Sequence, residues 1–316
     1  MTAVWQLPQI KEALSSIDTI AAMERAFQAY SEGRAIVPPV GELLFENPPG
    51  DAHIKYGYIR GDDAFVIKIA TGFYDNPKKS LPPNSGILVV FSAANGFPSA
   101  VLLDEGYLTN ARTAAAGAVA AKYLAPAKIN CIGICGTGMQ ARLQLQYLKP
   151  VTACRNVMVW GRSSESRERY AREMEAEGFN VQCVASPRTM GKSCELIVTA
   201  TLASSPYIEG LYIQPGTHVT AMGSDTPTKN ELRPDVLGMA DVVVADSRAQ
   251  CAERGEIHHA LAANEIEVGD VVELGEIIGG TAPGRSSGEQ VTVCDLTGVA
   301  VQDIEISKAV LAHLQR

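Results

Sequence analysis

One turn constrains this chain more than anything else in it. An apolar run, Ile129–Cys135, ends in Gly136-Thr137-Gly138-Met139-Gln140-Ala141, and the residues after it read as a helix. A G-x-G-x-x-A spacing carries weight only between a strand and a helix, and this one stands there. Gly136 permits the tight turn. Gly138 leaves bare backbone for a pyrophosphate, and Ala141 is small enough for the helix to pack on the strand. Free N–H groups and partial positive charge at the helix N-terminus complement phosphates. Gly136, Thr137, Gly138, Met139 and Gln140 are therefore candidate contacts for a dinucleotide. A glycine turn without a ligand is the plain alternative.

The texture around the turn supports this. From Ile129 onward short apolar strands alternate with helices: Asn156–Trp160, Val181–Val184, Leu196–Ala200, Thr217–Gly223 and Asp241–Ala245, with Val291–Asp295 as a further strand. A polar helix spans Glu165–Glu177. That alternation predicts an α/β fold with a Rossmann-type, doubly wound parallel sheet. The first third reads differently. Helical spacing of Leu14, Ile17, Ile20, Met23 and Phe27 precedes four closely spaced strands, His53–Ile59, Ala64–Thr71, Gly86–Ser92 and Pro98–Asp104. Short turns between them predict a mostly antiparallel sheet. An alanine-rich helix follows over Asn110–Leu124, and a last helix over Ile304–Leu314. Two domains are expected: a discontinuous α+β domain, 1–116 completed by 297–316, and a dinucleotide-binding domain, 117–296.

Composition narrows the class. The chain has 316 residues, 46% hydrophobic and 20% charged, enough for two cores. A net charge of −8 disfavours a nucleic-acid partner. No run of eighteen apolar residues exists, and the N-terminus lacks the pattern of a signal peptide, so no membrane partner is expected. Seven scattered cysteines without a C-x-x-C pair fit a reduced, cytoplasmic protein with no structural metal, their side chains small and buried.

The second strand bears on the cofactor. An acid there would bind the ribose 2′-hydroxyl of NAD(H). The strand instead ends Trp160-Gly161-Arg162-Ser163-Ser164. Arg162 pairs with a 2′-phosphate and Ser163 donates to it, so NADP(H) is favoured and NAD(H) remains possible, with Glu165 close by. A solvated Arg162 is the alternative.

Four blocks then carry a resemblance. FVIKIATGFYDNP, DEGYLTNARTAAAGAVAAKYLAP running into GICGTGMQARLQLQYL, MGSDTPTKNEL and CDLTGVAVQD resemble the ornithine cyclodeaminase/μ-crystallin family, in the family's order, from about residue 65 to 303. The resemblance assigns substrate binding and dimerisation to the discontinuous domain, and implies a homodimer that pairs the antiparallel sheets of two chains. It implies a small imino-acid or amino-acid substrate. Reduction of an imino acid is the reading preferred; an ornithine cyclodeaminase that recycles NAD, or a non-catalytic NADPH-binding protein, are the others.

Site residues follow by matching position. Lys68 lies inside the apolar strand Val66-Ile67-Lys68-Ile69, where an ammonium needs a partner. That partner is either an internal carboxylate or, as in the family, the substrate carboxylate. Arg112 stands among small residues near a helix N-terminus, where the helix dipole disfavours a cation. The resemblance makes it a second carboxylate ligand and puts Thr113 near the cofactor. Asp225 sits past a strand end; it is a cap for a helix over Lys229–Leu232, or the family's proton-transfer group. Many family members carry an Arg after the first Pro-rich loop, whereas this chain reads Val40-Gly41-Glu42. His53 and Lys55, two apart and so on one strand face, are candidates to replace it, or a solvated face. Loops near Gly41, His53 and Tyr74 are expected to wall the substrate pocket. His258 and His259, following Glu253 and Glu256, lack a third ligand at metal spacing and are read as polar residues without metal.

Overall fold

The strands between Gly41 and Leu103 pair into a single sheet in the computed structural model, which describes residues 2–73 and 75–315 and Pro77 by its backbone alone. Tyr74 lies outside the described residues. The strands are β1 (Ala3–Gln6), β2 (Ala35–Ile36), β3 (Gly41–Phe45), β4 (Gly50–Ile59), β5 (Ala64–Phe73), β6 (Asn84–Ser92) and β7 (Pro98–Leu103). Their order is β1-β7-β6-β5-β4-β2, with β3 also on β4. All pairs are antiparallel except β1 with β7. β1 to β3 were not legible in the sequence.

Register sorts the side chains of this sheet into two faces. Lys55, Lys68, Leu88 and Leu102 form one row across β4 to β7. With Val66, Val90 and Ala100 they face the helices, and all but Lys55 are buried. Three helices pack in this unit: α1 (Leu7–Ser15), α2 (Thr19–Ser31) and the C-terminal helix Ala300–Leu314. The helical spacing from Leu14 to Phe27 is interrupted because Asp18 caps α2, its carboxylate accepting from Ala21 N at 2.9 Å. The opposite face of the sheet is also apolar. Its middle row is Tyr56, Ile67, Val89, Val101 and Val4, of which Val4 is 54% exposed. Beside it Phe65 stacks on Phe91 with centroids 4.9 Å apart.

Helix α3 (Tyr107–Leu124) follows, opened by Asp104, whose Oδ2 accepts from Leu108 N at 2.8 Å. The chain divides into two compact units, Met1–Arg112 with Val299–Arg316, and Thr113–Gly298. The divisions expected at 116/117 and 296/297 fall at 112/113 and 298/299.

The second unit is a doubly wound parallel sheet of eight strands. They are β8 (Ile132–Cys135), β9 (Asn156–Trp160), β10 (Asn180–Cys183), β11 (Leu196–Thr199), β12 (His218–Ala221), β13 (Val242–Ala245), β14 (Val271–Glu273) and β15 (Thr292–Asp295). Their order is β10-β9-β8-β11-β12-β15-β13-β14. The chain winds outward from β8 to β10 and returns to β11, so the order reverses between β8 and β11. Open α/β sheets bind ligands at such a point, past the strand ends. β14, only three residues long, escaped the sequence reading. Among the described residues no helix is long and apolar enough to cross a membrane.

Candidate functional site

The turn after β8 needs both glycines, for different reasons. Gly136 has φ +119°, and a Cβ on it would lie 2.5 Å from Ala200 O, just past β11. Gly138, the N-cap of α4 (Met139–Tyr147), has an ordinary φ of −86°, and a Cβ there would meet no protein atom within 4 Å. Neither backbone strain nor packing asks for glycine at 138. What its missing side chain keeps clear is the space in front of a helix N-terminus. Arg142 braces the turn from behind: its guanidinium donates to Thr137 O and Gly138 O and pairs with Glu173.

A cavity of about 450 Å³ opens here. Gly136, Thr137 and Gly138 line it from the first loop, Trp160, Gly161 and Arg162 from the second, and Ala200 to Ser205 with Tyr207 from the loop after β11. The Trp160 and Tyr207 rings lie 4.6 Å apart. Bare backbone, a helix N-terminus, an aromatic wall and one cation form a donor set that fits a dinucleotide. Met139, Gln140 and Ser163, expected as contacts, do not line this cavity. Met139 opens α4, 61% exposed. Gln140 lies 3.5 Å from Gln144. Ser163 caps the following helix, Ser164–Ala176, accepting from Ser166 N at 3.3 Å. Thr113 O accepts from buried Gln144 Nε2 at 3.0 Å.

β12 ends at Ala221, and Asp225 follows in the loop. No helix forms over Lys229–Leu232, so Asp225 is not the cap that its type allowed. Its side chain is 47% exposed, and Lys229 Nζ donates to Oδ1 at 2.5 Å.

In the first unit, Lys68 is 1% exposed and Arg112 is 6% exposed. Both meet one carboxylate: Asp303 Oδ2 lies 3.1 Å from Lys68 Nζ, and Oδ1 lies 3.2 Å from Arg112 Nε. Gln302 Oε1 accepts from Arg112 Nη1 at 3.3 Å. The internal partner considered for Lys68 is therefore present. Burial, with the Arg112 charge, holds the Lys68 ammonium below its usual range against the pull of Asp303. Burial pushes Asp303 up, but Lys68, Arg112 and Lys55 outweigh it and hold its carboxyl below the usual range. Burial raises buried Asp104 nearby. Three cations thus gather round one firmly ionised carboxylate.

Asp303 and Gln302 were missed as site residues, although the signal was readable: polar side chains in the apolar run Val299–Ile306, like Lys68 in its strand. His53 and Lys55 share the face of Lys68, since Lys55 pairs directly with Lys68 and His53 with Ala70. His53 lies between two acids, Nδ1 3.4 Å from Glu42 Oε1 and Nε2 3.6 Å from Asp51 Oδ1. Beside the position where an Arg was expected, this chain therefore places an acid–imidazole group. His258 and His259 bind the carbonyls of Ala252 and Lys229, at 3.0 and 2.9 Å. Of the cysteines, Cys183 is exposed and Cys131 partly so.

The profile of the ornithine cyclodeaminase/mu-crystallin family matches residues 1–316. The chain belongs to that family. A member from Sinorhizobium fredii, named as an uncharacterized cyclodeaminase, is 41% identical over 294 residues, 92% of this chain and 89% of the relative. A structure of an archaeal alanine dehydrogenase dimer with bound NAD superposes with a TM-score of 0.91 at 31% identity, covering 99% of this chain and 95% of that one. The Δ1-pyrroline-2-carboxylate reductase of Thermococcus litoralis, solved with NADH and L-proline, gives 0.92 at 26% identity, with 99% and 97% covered. The four motif blocks of this family member therefore sit in a fold shared over its full length.

Proposed function

We propose that this family member reduces a small imino acid to the L-amino acid with NAD(P)H. The substrate is a cyclic ketimine such as pyrroline-2-carboxylate, or the linear imine of a 2-oxo acid. The observation that carries the reading is the gathering of Lys55, Lys68 and Arg112 round Asp303. Two lysines directly opposite on neighbouring strands repel, and a bound carboxylate relieves that repulsion. The relatives solved with NAD and NADH support an oxidoreductase acting on carbon–nitrogen bonds.

Gly136, Thr137, Gly138 and Arg162 would hold the dinucleotide, which when bound supplies hydride. The chain's own residues do the rest. Arg112, a planar fork, and Lys68 hold the carboxylate and so fix the carbon of the C=N bond. Asp303 locks both cations in place. Asp225, paired with Lys229, relays a proton from water to the imine nitrogen, whose growing positive charge makes the carbon a better hydride acceptor. Its exposure lets water return the proton. Positioned proton transfer is worth about 10²–10⁴-fold. The absence of an acid at the end of β9 and the place of Arg162 in the cavity wall support NADP(H) over NAD(H). The partly exposed apolar face of the first sheet supports a homodimer, since an antiparallel sheet facing water is polar on that side.

A panel of carboxylated imines under NADH and NADPH tests the reading. Loss of the reduced-nicotinamide absorbance with formation of the amino acid is expected. Ornithine with catalytic NAD yielding proline and ammonia would replace it with cyclodeamination. Tight NADPH binding with no turnover of any substrate would replace it with a binding protein.

A further inference from the structure

The segment Lys229–Leu232 supplies a buried group for which the scheme above has no use. Glu231 is 0% exposed. Its Oε1 accepts from Thr201 N at 2.7 Å, Thr201 Oγ1 at 2.7 Å and Tyr207 Oη at 2.6 Å. Its Oε2 accepts from Gly223 N at 2.9 Å. Thr201 follows β11 and Gly223 follows the neighbouring strand β12, so one carboxylate joins the loops at two adjacent strand ends. The sequence accommodates it: a Cβ on Gly223 would lie 2.4 Å from Glu231 Oε2. A second buried acid fixes Glu231 in turn, as Glu256 Oε1 accepts from Glu231 N at 2.8 Å and Oε2 from Leu232 N at 3.0 Å.

The two oxygens face different parts of the site. Thr201 and Tyr207 line the cavity, and the Tyr207 ring rests against Trp160. Gly223 is two residues from Asp225. We propose that Glu231 is a positioning residue that sets the cofactor wall through Oε1 and the placement of Asp225 through Oε2. The inference rests on the reading that the cavity takes a dinucleotide and that Asp225 moves the proton. Burying a carboxylate is costly, and a core residue of similar size would fill the space without that cost. What only the carboxylate supplies is four accepted hydrogen bonds at two loops.

Glu231→Gln separates the two oxygens. Three donors converge on Oε1, so the amide oxygen must take that side. The amide NH₂ then meets the N–H of Gly223, donor against donor. One hydrogen bond to a charged acceptor corresponds to about tenfold or more. In the full-length protein, Glu231→Gln is expected to lower kcat about tenfold with KM for the imine unchanged, and to leave the Kd of NADH and NADPH, read by tryptophan fluorescence, within about twofold. Tyr207→Phe is expected to do the reverse, raising the cofactor Kd with kcat at saturation retained. Hydrogen exchange adds a readout independent of turnover: faster exchange in Glu231→Gln confined to residues 221–227. Unchanged exchange there overturns the proposal. So does a rise over all of Thr113–Gly298 with a parallel loss in kcat and affinity, which would make Glu231 a residue of the fold only. A wild-type protein that binds the dinucleotide but reduces no imine would instead sink the proposed function, and the exchange and Kd measurements would still decide the role of Glu231.

Discussion

Lys55 and Lys68 stand directly opposite each other on β4 and β5, and the second of them is buried against Asp303. A pair of like charges at facing positions destabilises a sheet. The arrangement is tolerable because Asp303 supplies one negative charge. Under the proposed function a substrate carboxylate would relieve the remaining repulsion. Asp303→Asn removes the compensating charge and leaves Lys68 and Arg112 buried without it. Denaturant unfolding should show a loss of about 3–5 kcal/mol, the usual cost of breaking a buried pair from one side. Lys68→Met, which removes the cation together with its repulsion, should cost much less stability while weakening substrate binding. Equal stability losses in the two variants would contradict this picture.

The glycine turn gives a contrast within three residues. Gly136→Ala forces a side chain into a positive φ and against Ala200 O, so the fold should lose stability. Gly138→Ala meets no protein atom and should cost only about 0.5–1 kcal/mol, because alanine is the poorer N-cap, less than Gly136→Ala costs. It should nevertheless weaken dinucleotide binding by tenfold or more, since the space it fills is the ligand's. Binding titrations and thermal unfolding of both variants check this; unaffected binding in Gly138→Ala would remove the pyrophosphate from that turn.

Arg162 lines the cavity beyond β9. Arg162→Asp should lower the preference for NADPH over NADH, measured as the ratio of kcat/KM values. An unchanged ratio would show that the ribose pocket lies elsewhere.

His218 gives a pH dependence of definite sign. It is fully buried in β12, with Nδ1 2.8 Å from Thr292 Oγ1 and Nε2 3.0 Å from Thr220 Oγ1. Burial, with the Arg285 charge, pushes its pKa down to about 3. Between the usual histidine pKa and that value the unfolded chain binds a proton that the folded chain refuses. The stability His218 allows is thus complete above about pH 6.5 and is lost as pH falls toward 3, by up to about 1.4 kcal/mol per pH unit. His218→Asn should flatten the unfolding free energy against pH over that window. Parallel curves for the two proteins would mean that His218 titrates normally.

Much of this was legible from local pattern. The parallel sheet could be read because its strands are short, buried and apolar, and the turn at Gly136 because strand, glycines and helix stand in immediate succession. Lys68 and Arg112 showed themselves as charges among apolar neighbours. Asp303 carried the same signal, but its pairing with them spans about 190 residues or more and belongs to tertiary structure. β14, with three residues, is too short to read, and β1 runs straight into helix α1 and was not separated from it. Glu231 lay unremarked in a segment that read as a possible short helix. Only the meeting of Thr201, Tyr207 and Gly223 around it reveals what it holds.

The proposed function requires hydride to pass from the bound dinucleotide to the carbon of a carboxylated C=N bond. Reduced coenzyme carrying deuterium at the transferring C4 position tests it directly, with pyrroline-2-carboxylate as substrate and mass spectrometry of the product. One deuterium at Cα of L-proline is predicted, together with loss of that product in Arg112→Ala at the same substrate concentration. Proline free of deuterium, or coenzyme that keeps its label while bound beside every carboxylated imine offered, would contradict the account.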